Sequence, residues 1–193
     1  LAAANVVLGA ALLAVPEKGH DINVAAIQGN VSSRDKFRIS NAETVKIYEK
    51  LIREAAENGA ELIVCPESAF PWNLLKDEGS LGVFRTIAGE YDVSIVLGCL
   101  EGWRDEQENI LALMYPDGSI SDVKYSKRHL VPFGEYMPWR DFLSTLIPPL
   151  AEISMLEYDI REGSETAVMT LSDGTRIGGV ICFDLIYEEL ALS

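Results

Sequence analysis

The sequence predicts an α/β (mixed α+β) protein, in which helices and strands alternate along the chain and build a sheet. Three observations support this class. Short apolar runs of strand length recur, segments with helical spacing of apolar residues separate them, and two Asp-Gly turns indicate β-hairpins. At 193 residues, with 48% apolar and 24% charged residues, the chain has the size and composition of a folded domain.

The first elements follow from apolar spacing and from the residues that start or stop each segment. A buried strand is expected at 22–28. A helix begins at Ser40, where Glu43 completes a capping-box pattern, and ends at Gly59. The next strand follows at once and is stopped by Pro66. This order of strand, helix and strand is the beginning of an α/β arrangement.

The same alternation continues through the rest of the chain. A second helix is expected over Ser80–Tyr91 and a third strand over Val93–Leu100. Hairpins turn at Pro116–Ser119 and at Ser172–Thr175. The second hairpin leads into "RIGGVICF", which is expected to place Cys182 at or near a strand end.

Charge and composition disfavour several classes of function. The chain has 30 acidic and 16 basic residues, a net charge of −14, which opposes binding to nucleic acid and steering toward an anionic membrane surface. Its three cysteines are far apart and its histidines number two, so neither a disulfide framework nor a metal site is expected.

The first sixteen residues, "LAAANVVLGAALLAVP", carry no charge. They are fewer than the roughly 20 residues that a transmembrane helix needs. We interpret 1–16 as the end of a membrane helix whose beginning lies outside this chain, and 21–193 as the catalytic domain. The alternative is that the segment forms an apolar strand or helix of the domain itself.

Three apolar strands are followed by a reactive side chain: Glu67, Lys127 and Cys182. Sites in α/β proteins tend to lie at strand ends, where a rigid sheet supports the loops. A thiol needs a base to become a good nucleophile, a carboxylate can accept its proton, and an ammonium can stabilise an oxyanion. Together these groups can transfer an acyl group through a thioester.

Each of these residues also has a structural interpretation. A cysteine in a strand, such as Cys182, is often a small apolar residue of the core. A glutamate after proline, such as Glu67, often belongs to a turn, and a lysine beside arginine, such as Lys127, often lies on a solvated surface. Cys65 and Cys99 are assigned to the core, because each lies within or closes an apolar run. His129 is expected to satisfy a buried hydrogen bond rather than act as a base.

Taken in order, the three residues and their flanks resemble the Glu-Lys-Cys triad of the nitrilase (carbon–nitrogen hydrolase) superfamily. The resemblance runs from "INVAAIQGNV" to "GGVICFD" and covers nearly all of the chain after Asp21. The segments "YSKRHLVPFGEYMP" and "CPESAFPW" are similar to those of the apolipoprotein N-acyltransferase branch, which also carries membrane helices ahead of this domain. The resemblance implies an α-β-β-α sandwich whose C-terminal part is missing from this chain.

The resemblance also implies roles for individual residues. Glu67 is the general base, Lys127 stabilises the oxyanion and Cys182 is the nucleophile. A Pro-Gly loop brings back Glu135, a second carboxylate that positions Lys127 or shares in proton handling; a turn carboxylate is the alternative.

The resemblance also implies that three further residues support the catalytic site. Phe183 and Asp184 follow the nucleophile where the family commonly has an aromatic residue and an acid, and Asp replaces a longer Glu. Phe37 falls near a position where the family often has Trp at the mouth of the site.

The implied function is transfer of an acyl chain from a phospholipid to the α-amine of a lipoprotein's diacylglyceryl cysteine, without a cofactor. The enzyme would reside in the bacterial inner membrane, with the catalytic domain on the periplasmic face. Two alternatives stay open: a soluble amidase or nitrilase acting on a small nitrogen compound, and a non-catalytic binding domain. In the latter, Cys182 would react with alkylating agents no faster than Cys65 or Cys99.

Overall fold

A computed structural model describes residues 6–7, 9–11, 19–32, 38–139 and 159–191. Within them, six strands form the main sheet: β1 (Val24–Ala26), β2 (Leu62–Val64), β3 (Phe70–Asn73), β4 (Ser94–Glu101), β5 (Glu108–Met114) and β6 (Ile120–Ser126). The order is β1-β2-β4-β5-β6, and β3 pairs with the end of β4 beyond β2. β1, β2 and β3 run parallel to β4, whereas β5 is antiparallel to both β4 and β6.

Two helices, α1 (Asn41–Glu57) and α2 (Glu78–Tyr91), cover one face of this sheet. The predicted capping box of α1 is confirmed: the Ser40 hydroxyl accepts the Glu43 N–H, and the Glu43 carboxylate accepts the Ser40 N–H. The apolar faces of both helices pack on the sheet in one core cluster, which includes Tyr48, Ile52, Phe70, Phe84, Ile87, Ile95 and Leu97. Apolar spacing therefore predicts the buried face of each helix correctly.

The opposite face of the sheet is covered by the hairpin of β7 (Val168–Thr170) and β8 (Arg176–Gly178). Met169 and Leu171 pack there against side chains of three main-sheet strands, namely Leu62, Val96 and Leu113. The predicted α/β class is confirmed, because helices cover one face of the sheet and strands the other.

Three elements differ from the sequence prediction. Helix α2 begins two residues earlier than expected, because Asp77 is its N-cap and accepts the Ser80 N–H at 3.2 Å. Strand β1 is short and Val24 is 54% exposed, because β1 lies at the edge of the sheet. Strand β3 was not predicted, since it contains Pro71, which is unusual within a strand.

The apolar segment 1–16 and the candidate Phe37 fall wholly or mainly outside the described residues. Residues 6–7 and 9–11 of that segment are helical. No helix in the described part of the chain combines the length and the apolar character needed to cross a membrane.

Candidate active site

One edge of the sheet brings together two of the predicted site residues. Strands β2 and β6 point the same way, because β2 is parallel to β4 and both β4 and β6 are antiparallel to β5. Glu67 follows β2 after a short turn, and Lys127 follows β6 directly. The carboxyl ends of both strands therefore place these side chains on the same side of the sheet.

Lys127 lies between two carboxylates. Its side chain is 1% exposed, and its Nζ donates to Glu67 Oε1 at 3.0 Å and to Glu135 Oε1 at 2.9 Å. Burial alone would lower the pKa of Lys127, but the hydrogen bonds to Glu135 and Glu67 and their negative charges outweigh it and raise the pKa. The ammonium is therefore charged at neutral pH and supplies a fixed cation at the site.

The loop after Lys127 folds back and delivers Glu135. The Val131 N–H donates to Glu135 Oε2 at 2.9 Å, and the Glu135 N–H donates to the Val131 carbonyl at 2.9 Å. Phe133 has a φ of 64°, in the left-handed region that is costly for a bulky residue. These bonds hold Glu135, which is 14% exposed, against the lysine.

Cys182 is exposed and begins a 3₁₀ helix, Cys182–Ile186. The prediction that it lies at or near a strand end needs refinement, because β8 ends at Gly178 and residues 179–181 form no strand before the 3₁₀ helix begins. The backbone passes close to the sheet at Gly179, where an added Cβ would lie 3.1 Å from Leu111 Cδ1 and 3.2 Å from the Tyr125 Cβ. Cys182 itself has a φ of 48°, so the nucleophile candidate occupies a strained turn.

The Cys182 thiol is close to the carboxylate and the ammonium. Partial burial and the charge of Glu67 raise the pKa of Cys182, the charge of Lys127 opposes this, and a hydrogen bond to Glu67 adds to the increase. The thiol is therefore protonated at neutral pH, and a thiolate must form by transfer of its proton. Glu67 is a carboxylate that interacts with this thiol.

Asp184 is 0% exposed and links the cysteine turn to the end of β6. Its carboxylate accepts the Tyr125 hydroxyl at 2.7 Å, the His129 N–H at 2.8 Å and the Ile181 N–H at 3.3 Å. Burial would raise the pKa of Asp184, but these donors outweigh it and lower the pKa. Burial and the bond to Asp184 raise the pKa of Tyr125.

Three rings pack beside Asp184. His129 Nδ1 lies 3.2 Å from Asp184 Oδ1, and the imidazole stacks on Tyr187 with ring centroids 3.5 Å apart. Phe183 meets Tyr187 edge-on, with centroids 5.8 Å apart. The structure thus gives His129 the buried hydrogen bond that the sequence predicted, and it places Phe183 in the packing around the turn.

The other two cysteines lie in the core, as predicted. Cys65 is 1% exposed and Cys99 is 0% exposed. Burial raises the pKa of both thiols, that of Cys99 to about 12. Neither thiol is suited to nucleophilic attack in the folded protein.

Sequence analysis missed Asn109, the second residue of β5. This buried side chain donates from Nδ2 to Glu67 Oε1 at 2.8 Å and accepts the Ser68 hydroxyl at 3.4 Å. The available signal was a polar residue at the start of the otherwise apolar run "NILALM". Among the described residues, no group of three or more His, Cys, Asp and Glu side chains is placed to hold a metal ion.

Comparison with known proteins agrees with this arrangement. The apolipoprotein N-acyltransferase of Geobacter metallireducens is 35% identical over 185 residues, which are 93% of this chain and 34% of that protein. The enzyme of the same name from Haemophilus ducreyi is 29% identical over 175 residues, 86% of this chain and 33% of that protein. The chain thus spans about a third of the length of these relatives. These similarities confirm the resemblance predicted from the sequence.

Solved structures share the fold. A carbon-nitrogen hydrolase from Helicobacter pylori G27 matches with a TM-score of 0.61 at 16% identity, covering 89% of this chain and 55% of that one. An amidase from Nesterenkonia sp. matches with a TM-score of 0.61 at 15% identity, covering 91% of this chain and 61% of that one. The carbon-nitrogen hydrolase family model matches residues 23–193. The chain therefore belongs to the carbon-nitrogen hydrolase family.

Proposed function

We propose that this domain transfers an acyl chain from a phospholipid to the N-terminal amine of the diacylglyceryl cysteine of apolipoproteins. One observation supports the proposal: Lys127 Nζ lies 3.0 Å from Glu67 Oε1, and both groups act on the pKa of the Cys182 thiol. Such a set is suited to acyl transfer through a thioester. The choice of substrates rests on the relatives, which are named apolipoprotein N-acyltransferases.

The first half-reaction forms the thioester. Glu67 accepts the Cys182 proton as the sulfur attacks the ester carbonyl carbon, and the Lys127 ammonium stabilises the oxyanion. When the intermediate collapses, the acyl carbon–oxygen bond breaks and the proton on Glu67 passes to the leaving oxygen. A lysophospholipid departs, and the acyl chain stays on sulfur.

The second half-reaction forms the amide. The lipoprotein α-amine attacks the thioester carbonyl, Glu67 accepts a proton from the amine, and the carbon–sulfur bond breaks. The proton returns to sulfur, so the free enzyme is regenerated without a cofactor. Glu135 acts through Lys127, because its hydrogen bond at 2.9 Å keeps the ammonium at the position where the oxyanion forms.

The proposed substrates also suggest a location. Phospholipids and acylated lipoproteins are held in membranes by their acyl chains. We therefore propose that the protein acts at the bacterial inner membrane, with residues 21–193 as a catalytic domain on the periplasmic face. The uncharged segment 1–16 supports this proposal as the end of a membrane helix.

Intact-protein mass spectrometry of the complete protein after incubation with phospholipid tests the proposal. We expect an added acyl mass that hydroxylamine removes and that the Cys182→Ala variant lacks. The Cys99→Ala variant is the matched control and should keep the adduct, since Cys99 is buried in the core. If no adduct forms although iodoacetamide alkylates Cys182 rapidly, phospholipid is not the donor. The amidase alternative would then be tested by ammonia release from small amides.

A further inference from the structure

We infer that Asn109 is a positioning residue, which holds the Glu67 carboxylate in the correct orientation beside Cys182. The inference rests on the role of Glu67 as base in the proposed function. It adds a fourth polar group, from a different strand, to the Glu-Lys-Cys set. It also explains why a primary amide is buried at the start of a strand whose later residues, 110–114, are apolar.

Asn109 contacts both carboxylates of the Lys127 cluster through its side chain, and Lys127 through the backbone. It is 1% exposed, and its Nδ2 donates to Glu67 Oε1 at 2.8 Å and approaches Glu135 Oε1 at 3.5 Å. The backbone carbonyl of Asn109 accepts the backbone N–H of Lys127 at 2.9 Å. One buried residue thus joins the two carboxylates to the backbone that carries the lysine.

The chemistry of its neighbours fixes the orientation of the amide. An ionised carboxylate only accepts hydrogen bonds, so the NH₂ group must face Glu67 and Glu135. The Ser68 hydroxyl can donate, and it does so to Asn109 Oδ1 at 3.4 Å. A flipped amide would point its oxygen at two negative charges, so the site admits one orientation.

The charge of the cluster explains why the additional donor is neutral. Two carboxylates face one ammonium, and Glu67 Oε1 accepts from both Lys127 and Asn109. A second cation would stabilise the Glu67 anion so strongly that it resisted protonation during the reaction. An amide supplies a hydrogen bond and fixes the rotation of the carboxylate, yet it leaves Glu67 able to accept a proton.

The pH dependence of Cys182 alkylation by iodoacetamide, measured by peptide mass spectrometry on the complete protein, tests the inference. Without the amide donor the Glu67 anion is less stable, so the acidic limb of the profile should move to higher pH in Asn109→Leu. A displacement of about one pH unit lowers the rate on that limb roughly tenfold. Asn109→Asp keeps the shape but adds a negative charge, so it should shift the limb further.

Asn73→Leu is the matched control, since Asn73 Nδ2 donates to the Gly102 carbonyl at 3.4 Å and, within the described part of the chain, forms no hydrogen bond to Glu67, Lys127 or Glu135. Its profile should superimpose on that of the parent. If the Asn109→Leu and Asn109→Asp profiles also superimpose, while thermal stability falls, Asn109 only packs and the inference is wrong. Should Asn109→Leu fail to fold, the isosteric Asp variant decides alone. The assay uses no phospholipid or lipoprotein, so it can succeed even if the proposed substrates are wrong.

Discussion

A single buried carboxylate sets the position of Cys182 relative to Lys127. Asp184 accepts hydrogen bonds from Tyr125 and His129, which lie two positions before and two positions after Lys127. It also accepts the N–H of Ile181, the residue before Cys182. The side chain of aspartate is long enough to make all three bonds, although the family commonly has glutamate here. Asp184 therefore ties the turn that carries Cys182 to the segment that carries Lys127.

Replacing Asp184 by Asn should destabilise the protein in a pH-dependent way. The amide NH₂ cannot accept the bonds that the carboxylate accepts, so we expect a loss of about 1–3 kcal/mol at neutral pH. The pKa of Asp184 is lowered from 3.8 in the folded state, so its stabilisation is present above pH 3.8 and is lost as the pH falls through the folded value. The difference between parent and variant should therefore shrink below pH 3.8.

Denaturant unfolding of the complete protein, followed by tryptophan fluorescence between pH 7 and pH 3, measures this difference. Asp122→Asn is the control, because Asp122 is an exposed residue of the same strand, β6, and its replacement should change stability by less than about 0.5 kcal/mol. Parallel stability curves for the parent and Asp184→Asn over the whole range would contradict the assignment.

For single residues, the sequence predicted the side chains that are chemically reactive. It did not predict a residue whose importance depends only on where the fold places it. Glu67, Lys127 and Cys182 each stand out as reactive side chains after an apolar run. Asn109 is 42 positions from Glu67, and an asparagine has no chemistry of its own to suggest a site. Only the pairing of distant strands reveals that its amide meets the carboxylate.

At the scale of elements, the turn after β2 depends on a close approach of two backbones. Gly98 of β4 lies against the Pro66 carbonyl, and an added Cβ would lie 2.9 Å from its carbon and nearer still to its oxygen. It would also lie 3.3 Å from the Glu67 Cα. Glycine at this position therefore allows the turn to place Glu67 at the sheet edge.

Gly98→Ala should displace this turn. We expect a destabilisation of about 1–3 kcal/mol, typical of overpacking, together with slower alkylation of Cys182 because Glu67 moves. Hydrogen exchange of peptides from β2 and β4 would measure the first effect. Gly82→Ala in α2 is the matched control: its Cβ would have open space, so it should be neutral or stabilising by about 0.5–1 kcal/mol. Equal exchange in the two variants would show that the close approach is unimportant.

Local signals predicted most elements but not the way in which they end. The capping residues of α1 and the Asp-Gly turns of both hairpins are encoded within four residues, and the structure has them as expected. The 3₁₀ turn at Cys182 is held instead by Asp184, whose partners are Tyr125 on β6 and His129 just after it, 59 and 55 positions away. The prediction that "RIGGVICF" continues as a strand is therefore wrong after Gly178, where hydrogen bonds to distant residues take the place of strand pairing.

For the whole molecule, the arrangement of layers required contacts that no local pattern contains. The sequence predicted strands and helices in the correct order, yet Met169 and Leu171 pack on strands more than fifty positions earlier in the chain. The resemblance to the carbon–nitrogen hydrolase superfamily supplied this layering where periodicity alone could not. Cys65 and Cys99 are buried in the core between the sheet and the two helices, whereas Cys182 is exposed.

This distribution predicts the order in which the three thiols react. In the native complete protein, iodoacetamide should alkylate Cys182 much faster than Cys65 or Cys99, which are buried and have raised pKa values. With rising urea, the two core thiols should become reactive together, at the midpoint of the fluorescence transition, because they belong to one core. Peptide mass spectrometry of each cysteine measures all three rates. A core thiol that reacts as fast as Cys182 without denaturant, or two separate midpoints, would mean that the helices and the sheet do not unfold as one unit.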